Sequence, residues 1–210
     1  MTVKIIDPPD KPADAKLHFN EENHRYWLGG RELFSVTRVL RLTGLVDARW
    51  FSADVAWRGT RVHQALEYAD HQNDLDETTI DPLVAPYVAA YRRFLADARP
   101  VWTLIEARLH DEVLGYAGTV DRYGLVQGIP TVLEIKTGSP APWHSIQLAA
   151  YTDLLHTQRV VLGRPSRMGL YLMANGYYTT RVSHDRQDFT VFRAALTLAH
   201  WRHAHGLDRD

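Results

Sequence analysis

The sequence predicts a mixed α/β protein, with one central sheet and helices packed on both of its faces. Three observations predict it. Apolar residues recur three and four apart, the helical spacing, in the first half of the chain and again near its end. Between these stretches, from about residue 101 to 137, the period changes and apolar residues alternate in the manner of strands. The resulting order of helices, three strands, a helix, two strands and a helix suits a mixed sheet covered on two sides.

Residues 1 to 16 read as an arm, because Pro8, Pro9 and Pro12 interrupt any regular element, and residues 17 to 210 are expected to form a single domain. Leu17 to Asn20 and His24 to Leu28 alternate as strands around the Glu21-Glu22-Asn23 turn, and Gly29-Gly30 offers a second turn; together they predict a small β hairpin or meander. Ser35 can cap a helix carrying Val36, Val39 and Leu40, which Gly44 can end. A second helix is expected from about Ala53 to Ala69, with Val62, Ala65 and Leu66 at helical spacing. After an acidic, polar loop from His71 to Thr79, Pro82 to Ala98 predicts a helix with Val84, Tyr87, Val88, Tyr91 and Leu95 on one stripe.

Three strands follow, Val101 to Leu109, Leu114 to Val126 and Thr131 to Thr137, joined by turns at Asp111-Glu112 and Gly128-Ile129-Pro130. Trp143 to Thr157 is helical again. Met168 to Met173 and Tyr177 to Val182 form a hairpin through Asn175-Gly176, and Arg186 to Ala204 closes the chain as a helix.

Composition narrows the chemistry. The 210 residues are 45% hydrophobic and 23% charged, the make-up of a globular protein with a core. With no cysteine there is no disulfide, thiolate zinc site or cysteine-ligated iron–sulfur cluster, so any metal must be held by carboxylates, histidine and backbone oxygen. No apolar run approaches the roughly 20 residues of a membrane span, and a soluble, cytoplasmic protein is expected. A formal net charge of -1 argues against a broad basic surface, so any grip on nucleic acid would come from a local groove.

The residues that carry chemistry lie in two neighbouring strands, Gly118-Thr119-Val120-Asp121 and Leu133-Glu134-Ile135-Lys136-Thr137. Alternation sends Glu134 and Lys136 to one face and Leu133 and Ile135 toward the core. If the strands pair as a hairpin, Asp121 can sit beside Glu134, and two close carboxylates repel unless a cation neutralises them. A hard dication with oxygen ligands, Mg²⁺ or Mn²⁺, answers that arrangement. The plainer alternative is a surface ion pair on an edge strand, although the apolar Val132, Leu133 and Ile135 favour a central strand, where an unpartnered charge is costly.

A Gly-x-x-Asp strand, Glu-x-Lys-Thr, and then a helix with Gln147 and Tyr151 resembles the PD-(D/E)XK nuclease superfamily, in the branch of RecB-type nuclease domains and phage lambda-type exonucleases. Upstream, Arg58-Gly59-Thr60-Arg61-Val62-His63 is similar to the RecB-branch helix whose histidine joins the metal shell, and Gly59 would let another backbone or DNA come close. The resemblance implies a restriction-endonuclease-like fold, a mixed central sheet flanked by helices with the small N-terminal hairpin. It implies a Mg²⁺-dependent DNA nuclease, Mn²⁺ substituting, with the metal held by Asp121, Glu134, the Ile135 carbonyl, His63 and Glu106. Lys136 would orient the attacking water, Gln147 and Tyr151 would support it or the DNA backbone, and Arg58, Arg61, Thr137 and His144 would contact DNA.

The same resemblance implies an exonuclease working on DNA ends in phage-type recombination or repair, in a bacterial or phage-infected cell. A single-strand annealing protein as partner and a ring-forming homo-oligomer go with it. A structure-specific or restriction-type endonuclease, a non-catalytic nucleic-acid-binding subunit with a decayed nuclease fold, and a hydrolase of small phosphate esters are the competing readings; the last lacks a phosphate-cradling glycine loop.

Overall fold

The structure is a computed structural model that describes residues 17–21, 23–46, 53–72 and 79–208. The expected arm over residues 1 to 16, Glu22 of the first turn and residues 73–78 of the acidic loop lie outside the described residues.

The elements follow one another as β1 (Leu17–Asn20), β2 (Arg25–Leu28), β3 (Arg31–Ser35), α1 (Val36–Leu42), α2 (Ala53–Gln72), α3 (Ala85–Ala98), β4 (Val101–Asp111), β5 (Tyr116–Val126), β6 (Ile129–Thr137), α4 (Trp143–Thr157), β7 (Ser166–Leu172), β8 (Tyr178–Ser183) and α5 (Gln187–Ala204). The eight strands form one mixed sheet in the order β1-β2-β3-β5-β6-β7-β8, with β4 paired to β5 beside that path. The predicted mixed α/β architecture, helices on both faces and a β hairpin at the start, is the one observed. The hairpin is a three-stranded meander, and β3 joins it to the main sheet by pairing parallel to β5 through Phe34 with Tyr116 and Ser35 with Ala117.

Two buried clusters cover the two faces. On one, Val62 and Leu66 of α2 and Tyr87, Val88, Tyr91 and Phe94 of α3 pack on Leu133, Ile135, Leu170 and Leu172. On the other, α1, α4 and α5 contribute Val39, Leu40, Leu148, Leu154, Phe192 and Leu196 over Val120 and Val132. β6 is therefore a central strand with both faces covered, paired to β5 and β7. Fully burying Leu133 and Ile135, each 0% exposed, stabilises by roughly 1.5–3 kcal/mol per side chain.

Local chemistry sets most boundaries. Ser35 caps α1 as expected, its Oγ accepting from the Arg38 N–H at 3.1 Å, an interaction of about 1 kcal/mol. The expected strand from Leu114 begins two residues later, because the Asp111 carboxylate accepts the Leu114 N–H and Gly115, at φ +71, completes a turn there. The next turn is Gln127-Gly128, both at positive φ, so β6 already starts at Ile129 and includes Pro130. That is the two-residue turn whose twist suits a hairpin. The helix expected from Pro82 starts at Ala85, since the Asp81 carbonyl and carboxylate hold Leu83, Val84 and Ala85 in a tight turn first. Among the described residues no helix is long and apolar enough to cross a membrane.

Candidate metal centre and active site

β5 has different neighbours at its two ends. β4 runs antiparallel along one edge over nearly its whole length, from Asp111 opposite Tyr116 to Val101 opposite Leu125. The other edge is shared: pairing with β3 ends at Ala117, and pairing with β6 begins at Arg122. At this fork Asp121 uses its side chain across the gap, its Oδ2 accepting the Ile135 N–H at 2.6 Å. The carboxylate thus takes the place of a ladder carbonyl, and its Oδ1 lies 3.6 Å from His63 Nδ1.

Glu106 lies opposite Asp121 on β4, between the Ile105–Arg122 and Ala107–Val120 pairs, and its backbone is left-handed at φ +45. For a non-glycine residue inside a strand that conformation costs on the order of 1–3 kcal/mol, and the surrounding structure must hold it. Its Oε1 accepts from Arg122 Nη1 at 2.9 Å and lies 3.1 Å from His63 Nδ1. His63 follows the fully buried Val62 on α2, and its Nε2 donates to the Ile135 carbonyl at 3.2 Å. One donor atom each from His63, Glu106 and Asp121 fall within 4.8 Å of one another.

The electrostatics follow from three buried or half-buried carboxylates in one place. Burial, and then the charge of Glu134, push the Asp121 carboxyl up to about 8. Burial opposes a charge on His63, but Asp121, Glu106 and Glu134 together outweigh it and push the imidazole up to about 9. Burial also opposes the Glu106 charge, yet its bonds to His63 and Arg122 hold that carboxyl below its usual range. Glu134 is 3% exposed; its Oε1 accepts from Lys136 Nζ at 2.7 Å, while its Oε2 is buried without a hydrogen-bond partner among the described residues.

A buried Glu134 oxygen without a hydrogen-bond partner among the described residues, beside an Asp121 carboxyl that burial and neighbouring charge push up, marks a place where negative charge is crowded. The donors, carboxylate oxygens, an imidazole nitrogen and the Ile135 carbonyl, suit a hard divalent cation such as Mg²⁺ or Mn²⁺. The residues present therefore fit such an ion. The structure gathers His63, Glu106, Asp121 and the Ile135 carbonyl; Glu134 acts on the group through its charge, and its Oε1 is engaged by Lys136.

The remaining predicted residues are placed as follows. Lys136 is half-buried between Glu134 and the ring of Trp143, 4.9 Å from its centroid. On α4, Gln147 Nε2 donates to the Tyr151 hydroxyl at 2.9 Å and both side chains are buried. Tyr151 packs directly on β5: a Cβ at Gly118 would meet its Cε1 at 2.6 Å, which is why a glycine opens the Gly-x-x-Asp strand.

His144, expected to contact DNA, is 6% exposed, and its Nδ1 accepts from the Ala141 N–H at 3.1 Å and lies 3.2 Å from the Tyr171 hydroxyl. Burial and the charge of Lys136 lower its pKa to about 3, so the ring is neutral. It braces the start of α4 instead of meeting solvent. Thr137 is half-buried at the end of β6. Arg58 is half-buried with its guanidinium 5.7 Å from the Tyr87 ring, and Arg61 is exposed and bonded to Gln64. Among the described residues nothing lies within 4 Å of a Cβ at Gly59, so among them that glycine serves no close backbone approach.

Three residues around the cluster have no motif to announce them. Arg122, Asp70 and Tyr91 come from β5, α2 and α3, and among these only Arg122, next to Asp121, had even a positional hint. Trp143, against Lys136, carried the signal of an aromatic at the start of a helix but nothing more specific.

No protein-family model matches the chain, and no curated protein matches it. Among solved structures, the chain is similar to LHK-Exo in complex with dAMP at 14% identity and a TM-score of 0.41, over 84% of this chain and 90% of that one. A second match is the structure of LHK-Exo, an alkaline exonuclease from Laribacter hongkongensis, at 16% identity and a TM-score of 0.33, over 83% and 94% of the two chains. A third is SSO0001, at 13% identity and a TM-score of 0.38, over 86% of this chain and 76% of that one. The likeness spans most of each chain but is loose, and what the site can do follows from its own residues.

Proposed function

We propose that this chain is a divalent-metal-dependent nuclease that hydrolyses phosphodiester bonds in DNA, in the form of an exonuclease working from DNA ends in phage-type recombination or repair. The observation that carries this reading is the convergence of His63, Glu106 and Asp121, with donor atoms within 4.8 Å of one another, beside the Glu134–Lys136 pair. In this reading Asp121, Glu134, Glu106, His63 and the Ile135 carbonyl hold Mg²⁺ or Mn²⁺. When bound, such an ion supplies Lewis acidity toward a phosphate oxygen and lowers the pKa of a water.

The chain's own groups do the rest. Lys136 orients the attacking water and offsets the charge that builds on the phosphate, and Glu134 and Trp143 keep its ammonium in place. The Gln147–Tyr151 pair holds α4 against β5 and so fixes the wall of the site beside Asp121. Arg58, Arg61 and Thr137 contact the DNA backbone. A ring-forming homo-oligomer and a single-strand annealing partner accompany the exonuclease form, in the cytoplasm of a bacterial or phage-infected cell.

The test is to incubate the protein with end-labelled linear duplex, single-stranded and covalently closed circular DNA, with Mg²⁺ or with chelator. Linear DNA should shorten from its ends, the circle should persist, and both chelation and Asp121→Ala should stop cleavage. Cutting of the closed circle would make the protein an endonuclease. DNA binding with no Mg²⁺-dependent cutting would make it a non-catalytic subunit and overturn the proposal.

A further inference from the structure

Arg122 is the largest fully buried side chain among the described residues, at 0% exposure. Its Nε donates to Asp70 Oδ2 at 2.7 Å, and its Nη1 donates to Glu106 Oε1 at 2.9 Å and to the Asp121 carbonyl at 2.6 Å. The Tyr91 hydroxyl donates to the same Asp70 oxygen at 2.7 Å. The chain of contacts therefore runs from α3 through α2 and β5 to β4.

A buried ion pair of this kind is a poor device for stability, because desolvating the charges costs about as much as their attraction returns, and apolar residues of the same volume would serve as well. Its placement suggests another use. It ends on the carboxylate that faces His63, carried by a residue whose left-handed backbone has to be held, and it also ties down the backbone of Asp121. Two of the gathered donor residues are thus fastened to one guanidinium, which Asp70 orients and Tyr91 braces.

We propose that Asp70, Arg122 and Tyr91 are positioning residues, a buried clamp that sets the Glu106 carboxylate and thereby the affinity of the His63, Glu106 and Asp121 cluster for a divalent cation. The inference rests on reading that cluster as a metal site, and goes beyond it by assigning residues that never touch the ion. Partners that orient a ligand from behind change metal affinity by roughly 10- to 100-fold when they are removed.

The experiment measures the Mn²⁺ dissociation constant by isothermal titration calorimetry, with folding checked by circular dichroism, for the unaltered protein, Tyr91→Phe, Asp70→Asn, Glu106→Gln and the Asp70→Asn/Glu106→Gln double variant. Asp70→Asn should weaken Mn²⁺ binding roughly 10- to 100-fold and Tyr91→Phe by less. The double variant should lose clearly less than the sum of the two single losses, since Asp70 acts largely through Glu106.

A merely structural role would lower thermal stability and leave the dissociation constant unchanged; that result, or additive losses in the double variant, overturns the clamp while leaving the metal site standing. An unaltered protein that binds no Mn²⁺ overturns both. If Asp70→Asn does not fold, Tyr91→Phe, which removes one hydroxyl, carries the test.

Discussion

The two halves of the candidate site are built differently. The lysine half, Glu134 and Lys136 with Gln147 and Tyr151, comes from one strand and the helix that follows it, and its contacts span two and four residues. Strand alternation and the helical turn place these groups almost regardless of the rest of the molecule. The acidic half joins His63, Glu106 and Asp121 from α2, β4 and β5, and depends on a fork in the sheet, a left-handed backbone at Glu106 and a buried arginine. The lesson is one of vulnerability: the first half should tolerate changes elsewhere in the fold, whereas the second should respond to residues two contacts away.

The sharpest way to separate the halves is Lys136→Ala. It should lower the cleavage rate on the order of 10²- to 10³-fold, the loss typical of one charge-stabilising group, with Mn²⁺ affinity changed only a few-fold. If calorimetry shows Mn²⁺ affinity falling in parallel with the rate, the halves are one unit and the comparison fails. A smaller effect is expected from Gly118→Ala, whose methyl would sit 2.6 Å from Tyr151 Cε1 and 3.1 Å from Val36 Cγ2. Overpacking of this kind destabilises by about 1–3 kcal/mol, readable by urea denaturation, and an unchanged midpoint would mean that the Tyr151 ring swings aside freely.

A third effect concerns acid. His144 stays neutral when folded, its pKa lowered from 6.5 to about 3 by burial first and Lys136 second. As pH falls below 6.5 the unfolded chain binds a proton that the folded chain refuses, so this residue removes stability progressively down to about 3. Replacing it, His144→Gln, should flatten that part of the stability–pH curve relative to the unaltered protein. Parallel curves for the two would place His144 in water, where it could meet DNA after all.

The elements were largely legible because each has a local cause. The Ser35 cap, the apolar stripe ending at Leu95 and the alternation through Ile135 are all properties of short windows. The boundaries that moved did so for equally local reasons that periodicity does not record, such as the Asp81 and Asp111 side chains holding turns at Leu83 and Leu114. The burial of His144 was not legible because helical spacing gives a residue's angle around α4 but not what lies opposite, here Tyr171.

Residue order and short-range chemistry suffice for the character of the strands, the alternation that puts Glu134 and Lys136 together, and the absence of any thiolate ligand. They are silent on the parallel pairings of β3 with β5 and of β6 with β7, and so on the fork that leaves Asp121 free to bond Ile135. They are equally silent on Asp70 meeting both Arg122 and Tyr91, because contacts between residues 52 and 21 positions apart are set by how layers pack. Periodicity reports which side of an element faces a neighbour, and only packing chooses the neighbour.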